Sequence, residues 1–355
     1  MYETLGLDFP PRAASVGFAL ILGLAFGVLA ERTAFCLRRA LLGVDRPAAR
    51  AVWLTALATA VLGTQVAVAA GLVSFGDHRF HADTLPLGLL VLGGLMFGAG
   101  MVLARGCASR LTVLAGGGNL RALVGIVTFA LFAQATLEGV LAPLRTGLAG
   151  LSVDVPSALP LGPLPWVAII LAAAIWAILR GGRQPGRLVM AAALGLLVPL
   201  GWVGTGYVLY DDFDPIALES VSFTAPAADA LFWSAAATAV PASFGTGLVG
   251  GVALGALAAS LLFGSFRWQG FDGAAQTGGS LGGGALMGVG GVFAGGCTVG
   301  AGLSGIATLS LAAVIALAAI IAGATITRAL QQRISDPSSS GYAGSSTTQG
   351  RQPAE

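Results

Sequence analysis

The chain has 355 residues, 56% of them apolar and only 10% charged, against about 25% charged in a soluble globular domain, so it cannot coat a water-facing surface. A net charge of +2 is too small to imply nucleic acid as a partner, and all 18 basic residues are arginine, which removes P-loop and Schiff-base lysine chemistry together. The 54 glycines follow no G-X-Y period, which excludes collagen and points to close helix crossings and broken helices in a membrane.

Apolar runs of about 20 residues predict nine transmembrane helices in chain order, at roughly 13–30, 51–73, 85–104, 121–142, 164–180, 187–208, 242–264, 274–294 and 309–328. The first run is preceded by Glu3 and Asp8 and followed by arginines. That is the wrong flank for a cleaved signal peptide, and the run reads as an anchor. With the N-terminus outside, 15 arginines fall in one set of loops, and Arg12, Arg79 and Arg145 in the other. The positive-inside rule then places the C-terminus in the cytoplasm of a multi-pass inner-membrane protein. The longest outer loop, about 209–227, carries Asp211, Asp212, Asp214 and Glu219.

Shifting the chain by 190 residues lays Gly93–Cys107 over Gly283–Cys297 with eight identities in 15 positions. They are both leading glycines, Gly98/Gly288, Gly100/Gly290, Val102/Val292, Ala104/Ala294, Gly106/Gly296 and Cys107/Cys297. Five predicted spans separate the two cysteines, and five is odd, so the copies face opposite ways across the bilayer, as in inverted-repeat transporters. The expected fold is an all-α polytopic membrane protein in a 4+1+4 inverted repeat. Its parts are an outer segment over 1–12, a first half-repeat over 13–145, a linking span over 146–186, a second half-repeat over 187–330 and a disordered cytoplasmic tail over 331–355.

After each repeat cysteine comes a Gly/Ala-rich stretch too short to cross, 105–118 and 295–307. Such backbone is tolerated at membrane depth only where protein buries it or it lines a cavity, so both read as re-entrant half-helices. A similar piece runs from Thr33 to Arg39, and its counterpart is expected near Asp229 to Pro241, without a cysteine.

Cys36, Cys107 and Cys297 all sit at predicted breaks, and two of them occupy equivalent repeat positions. A free thiol can simply pack as a small apolar group. A row of thiols can also line a path for a soft, sulfur-containing substrate, because a weak, polarisable donor binds loosely enough to let it go. The odd count and the reducing side disfavour a disulfide. No C-x-x-C or histidine pairing supports a metal, and no cofactor is expected. Arg105 and Arg110 flank Cys107 while Arg38 and Arg39 follow Cys36, giving either an electropositive cytoplasmic mouth or ordinary positive-inside anchoring. Gly106 and Gly296 would allow close backbone approach beside the thiols.

Other signals read as structural. Gly245–Gly250 matches G-x-G-x-x-G, yet it lies in an apolar span and reads as helix packing. His78-Arg79-Phe80-His81, between Asp77 and Asp83, reads as a solvated outer loop. Glu138, one turn after Gln134, is either a snorkelling residue or a proton-coupling site. Glu31 and Arg32 are a candidate ion pair. Trp53, Trp166, Trp176 and Trp268 read as interfacial anchors.

Phe35-Cys36, the paired Gly-Cys motifs at Gly106-Cys107 and Gly296-Cys297, and the nine-span inverted plan together resemble the YeeE/YedE family of sulfur-compound transporters, over about residues 13–330. The resemblance implies a permease importing thiosulfate or a related sulfur anion, relayed by S–H···S hydrogen bonds among Cys36, Cys107 and Cys297. It also implies a small cytosolic sulfurtransferase partner of the TusA-like type, and transport rather than catalysis. Selenium or another sulfur compound as substrate is one alternative. A membrane thiol oxidoreductase is another, although both histidines fall in one outer loop. A passive channel would tolerate loss of the thiols.

Overall fold

A computed structural model describes residues 10–335, apart from 77, 83, 151–152, 155–157, 183, 212–214 and 272. The expected outer segment through residue 9, the tail from 336, and Asp77, Asp83, Asp212 and Asp214 therefore lie outside the described residues. Thirteen helices are present among those described. They are α1 (Pro11–Thr33), α2 (Leu37–Leu42), α3 (Arg46–Ala69), α4 (Leu87–Leu103), α5 (Ala108–Gly116), α6 (Leu120–Leu137), α7 (Ala142–Ala149), α8 (Pro163–Gly181), α9 (Pro185–Val203), α10 (Thr224–Ala236), α11 (Phe244–Leu262), α12 (Ala274–Phe293) and α13 (Leu311–Ser335). Two-residue strands β1 (Thr84–Leu85) and β2 (Val153–Asp154) pair antiparallel, Thr84 opposite Asp154.

Eight helical stretches are long and apolar enough to cross a membrane: Pro11–Leu42, Arg46–Ala69, Leu87–Gly116, Leu120–Leu137, Pro163–Gly181, Pro185–Val208, Phe244–Leu262 and Leu311–Ile334. The protein is thus an all-α polytopic membrane protein. The remaining expected span, 274–294, is α12, a 20-residue helix whose glycines dilute its apolarity.

Local sequence explains where the helices start. Proline stands in the first turn of α1, α3, α8 and α9, where its missing N–H is no loss. Asn119 caps α6 by accepting from the Ala122 N–H at 2.9 Å, and Ser243 and Thr246 form a capping box on α11.

Small residues then set the crossings. Gly247, Gly251 and Gly255 of α11 lie against the Val16, Leu20 and Leu24 carbonyls of α1, leaving no room for a Cβ. The G-x-G-x-x-G match is therefore part of a packing face. Contacts between the two repeat copies are reciprocal: Gly93 abuts Gly290 and Ala294, and its mate Gly283 abuts Gly100 and Ala104. Gly94 likewise meets Ala316 and Ile320 of α13, while Gly284 meets Gly125 and Phe129 of α6. Such reciprocal contacts are the kind that two-fold-related copies make, as at an isologous interface. Phe26, Phe97, Phe129, Phe223, Met101 and Met287 fill the core between the helices, all under 2% exposed.

Several expectations need correction. Trp53 is no interfacial anchor: it is 6% exposed and its ring faces Gly302, because α3 turns that side towards the second repeat's broken segment. Trp176 and Trp268 are exposed. The counterpart expected over 229–241 begins earlier, as α10 from Thr224. Glu31 does not pair with Arg32. It faces Arg110 at 3.5 Å, while Arg32 stacks on the Phe263 ring at 4.0 Å.

Candidate functional site

Each cysteine sits where a helix has just broken. α1 ends with Ala34 in the left-handed region and the Phe35 N–H bonded back to the Ala30 carbonyl at 3.1 Å, a common helix stop. Buried Phe35 then packs edge-on against Phe26 at 6.3 Å and fixes Cys36 as the N-cap of α2. α4 stops in a related way, with the Gly106 N–H bonded to the Met101 carbonyl at 3.2 Å. Cys107 then caps α5, and Gly106 sits so close to Leu111 that a Cβ there would come within 3.2 Å of its side chain.

The second copy breaks at the matching place but continues differently. Gly295 has φ +69°, and its repeat mate Arg105 has φ +58°, a conformation that favours glycine. Cys297 follows Gly296, whose missing Cβ leaves room for the Ala301 N–H. Next comes a π-turn, Gly300–Gly305, in place of the α-helix expected by analogy with α5. Three glycines in six residues weaken helical preference there.

Two of the thiols meet. Cys36 Sγ and Cys107 Sγ are 3.9 Å apart, and Ser109 Oγ is 3.4 Å from Cys107 Sγ. Cys297 is fully buried and accepts the Gly300 N–H at 3.3 Å. The adjacent Thr298 approaches Cys107, and its hydroxyl is buried without a closed hydrogen bond. The three thiols belong to one continuous core cluster.

Above Cys297 opens a cavity of about 650 Å³ whose floor includes Gly300 and Ser304, with Arg79, Trp202, Glu219 and Ser222 among its walls. Its rim is tied down: Thr205 Oγ1 donates to the Glu219 carbonyl at 2.8 Å, Ser220 Oγ to the Val198 carbonyl at 2.8 Å, and Ser304 Oγ to the Val221 carbonyl at 2.6 Å. The segment 78–81 is not a solvated loop. Phe80 is buried, and His78 packs edge-on against Trp202 at 5.1 Å, which folds Arg79 into the cavity wall. Among the described residues no carboxylate lies within ion-pair distance of Arg79.

Charge in this cavity is strongly shaped by its surroundings. Burial, helped by Asp229 and opposed by Arg79, pushes the Glu219 carboxyl up to about 7. Burial, then Arg79 and His81, pushes His78 down to about 4. Neutral His78 is therefore the form present at physiological pH.

The other expected groups are placed as follows. Arg110 is offset by Glu31, and Arg105 lines a second cavity of about 430 Å³ with Asn119, Arg121 and Gln269. Arg38 keeps a buried, unpartnered Nε, whereas Arg39 bonds Asp45 through two nitrogens. Glu138 is exposed, is bonded by Gln134 at 3.1 Å and lies near enough to Asp229 to act on its charge. No cluster of three histidine, cysteine or carboxylate side chains fit for a metal occurs among the described residues.

Sequence reasoning missed Arg79, Trp202, Ser222 and Glu219. The one available signal was Arg79 itself, an arginine against the positive-inside bias and flanked by histidines. A family model described as sulphur transport matches the chain twice, over residues 32–188 and 181–326. No curated protein matches it.

Proposed function

The chain belongs to the sulphur transport (YeeE/YedE) family, and on that premise we propose that it imports thiosulfate, or a closely related inorganic sulfur anion, along a path of three thiols. The substrate enters from outside at the cavity over Cys297, passes Cys107, and leaves by Cys36 towards the arginine-rich face. One juxtaposition carries the reading: a cavity walled in part by Arg79 ends on the turn that holds Cys297, and the other two thiols stand in contact further along.

Soft thiols suit this cargo. An S–H group donates weakly to a terminal sulfur and holds it loosely, and a series of shallow sites releases as readily as it accepts. Burial of the thiols keeps water and hard oxyanions from competing along the way. The two-fold reciprocity of the halves supports an inverted arrangement in which each half lines one side of the path. The membrane is the inner membrane, with the N-terminus outside and the C-terminus inside. A small TusA-like sulfurtransferase is the proposed receiver at the cytoplasmic mouth, where Arg38, Arg105 and Arg328 lie close to one another.

The test is growth on thiosulfate as sole sulfur source in a bacterial host lacking thiosulfate uptake. Wild type is compared with Cys36→Ala, Cys107→Ala and Cys297→Ala at matched membrane expression. Rescue by wild type and loss with Cys107→Ala or Cys297→Ala is expected. Rescue that survives every replacement would reduce the thiols to packing, and no rescue at all would exclude thiosulfate.

A further inference from the structure

The outer cavity holds more charge chemistry than a row of thiols needs. Trp202 is 3% exposed and lines the cavity, yet its Nε1–H has no partner. Ser222 Oγ is likewise buried, unpartnered and in the cavity wall. Together with the Arg79 guanidinium these are donors within one cavity wall, and buried donors without partners are costly unless something fills their bonds. A tetrahedral oxyanion fits: one charged fork and two neutral donors.

Glu219 is the misfit, because an ionised carboxylate in the same wall repels an incoming anion. We propose that this cavity is a proton-linked oxyanion site, in which Arg79, Trp202 Nε1–H and Ser222 Oγ–H receive the anion and Glu219 takes up one proton from the outside water as the anion enters. The proposal rests on the transport reading above and names the ion that accompanies substrate binding. No bond other than the carboxyl O–H forms, and the site gains one proton with each anion.

Other charged and titratable groups surround Glu219. Arg79 and His78 face it from the 73–82 segment, Tyr210 lies on its own side of the cavity, and Gly300 and Ser304 bring the Cys297 turn beneath it. Asp229 adds repulsion from α10, outside the cavity wall, and is itself held by Ser243 Oγ at 3.4 Å. His78 and His81 are both pushed down by burial and stay neutral. A carboxyl poised at about 7 is half-charged where an anion's arrival can tip it, and linkage makes the effect reciprocal. Anion binding draws in a proton, and a lower pH tightens the anion.

The experiment is calorimetric binding of thiosulfate and of sulfate to the purified full chain between pH 6 and 8.5, in buffers of different ionisation enthalpy so that protons are counted. Wild type should take up close to one proton per anion at pH 8. Its affinity should weaken above pH 7, by up to about tenfold per pH unit, the one-proton limit. Glu219→Gln should bind with no proton uptake and a flat profile, and Arg79→Gln should bind at least about tenfold more weakly at every pH. Wild-type slope or proton count persisting in Glu219→Gln overturns the proposal, as does unchanged affinity in Arg79→Gln or a wild type that binds neither anion. Proton-linked binding without growth on thiosulfate would sink the import reading alone. Growth with a pH-insensitive site would sink only this one.

Discussion

A buried carboxylate that serves binding exacts a cost in stability, and Glu219 shows where it falls. Its carboxyl rises from an ordinary 4.5 to about 7, chiefly through burial. The folded state then holds the proton more tightly than the unfolded chain does. Stability from this group is fully present below pH 4.5 and is lost as pH climbs to about 7. Glu219→Gln should therefore melt higher than wild type at pH 8, and the advantage should vanish near pH 4.5, in thermal scans in detergent. Equal melting at pH 8 would mean that water reaches the carboxyl freely. The neighbours that create this environment were hidden in the sequence, because Arg79, Trp202 and Glu219 come from segments far apart in the chain. The cysteines were legible because they are rare and two recur at one repeat position. Their contacts were not: nothing in the spacing of Cys36 and Cys107 announces a 3.9 Å approach.

Helix crossings are where glycine placement becomes energy. A Cβ at Gly251 would collide with the Leu20 carbonyl, whereas one at adjacent Gly250 meets nothing within 4 Å. Gly251→Leu should cost at least about 1–3 kcal/mol through overpacking, seen as a lower melting temperature and reduced membrane yield. Gly250→Leu should stay close to wild type, and equal losses at both positions would mean that added bulk anywhere on the helix, rather than this crossing, decides. Apolar length made the helices readable from sequence, since few other patterns of about 20 residues exist in a membrane protein. It failed to foresee the π-turn after Cys297, where a glycine-rich copy of α5 relaxes into wider backbone. It also misplaced Trp53, whose span-end position says nothing about which neighbour its helix turns towards.

For the molecule as a whole, orientation is the proposal most open to direct test. Reporter fusions after residue 335 should be active only in the cytoplasm, and insertions between α9 and α10 only outside. The reverse pattern would invert the path and make Cys36 the first thiol met. The proposed division into halves has a physical basis in the reciprocal glycine contacts, but those halves are not separate bodies. α1 packs on α11, α4 on α12 and α13, and α6 on α12, so each half completes the other's core. The linking helix α8, by contrast, buries only Ala174 and Ala177 and leans on α3.

That interleaving has a consequence for a severed chain. Cut between Gly182 and Gln184, each fragment would keep its own membrane helices yet lack the surfaces its glycine faces were shaped to meet. Either fragment alone should be cleared by proteolysis. Produced together, the two should find each other in the bilayer and restore uptake, since the break spares every interlocking crossing and removes only a tether.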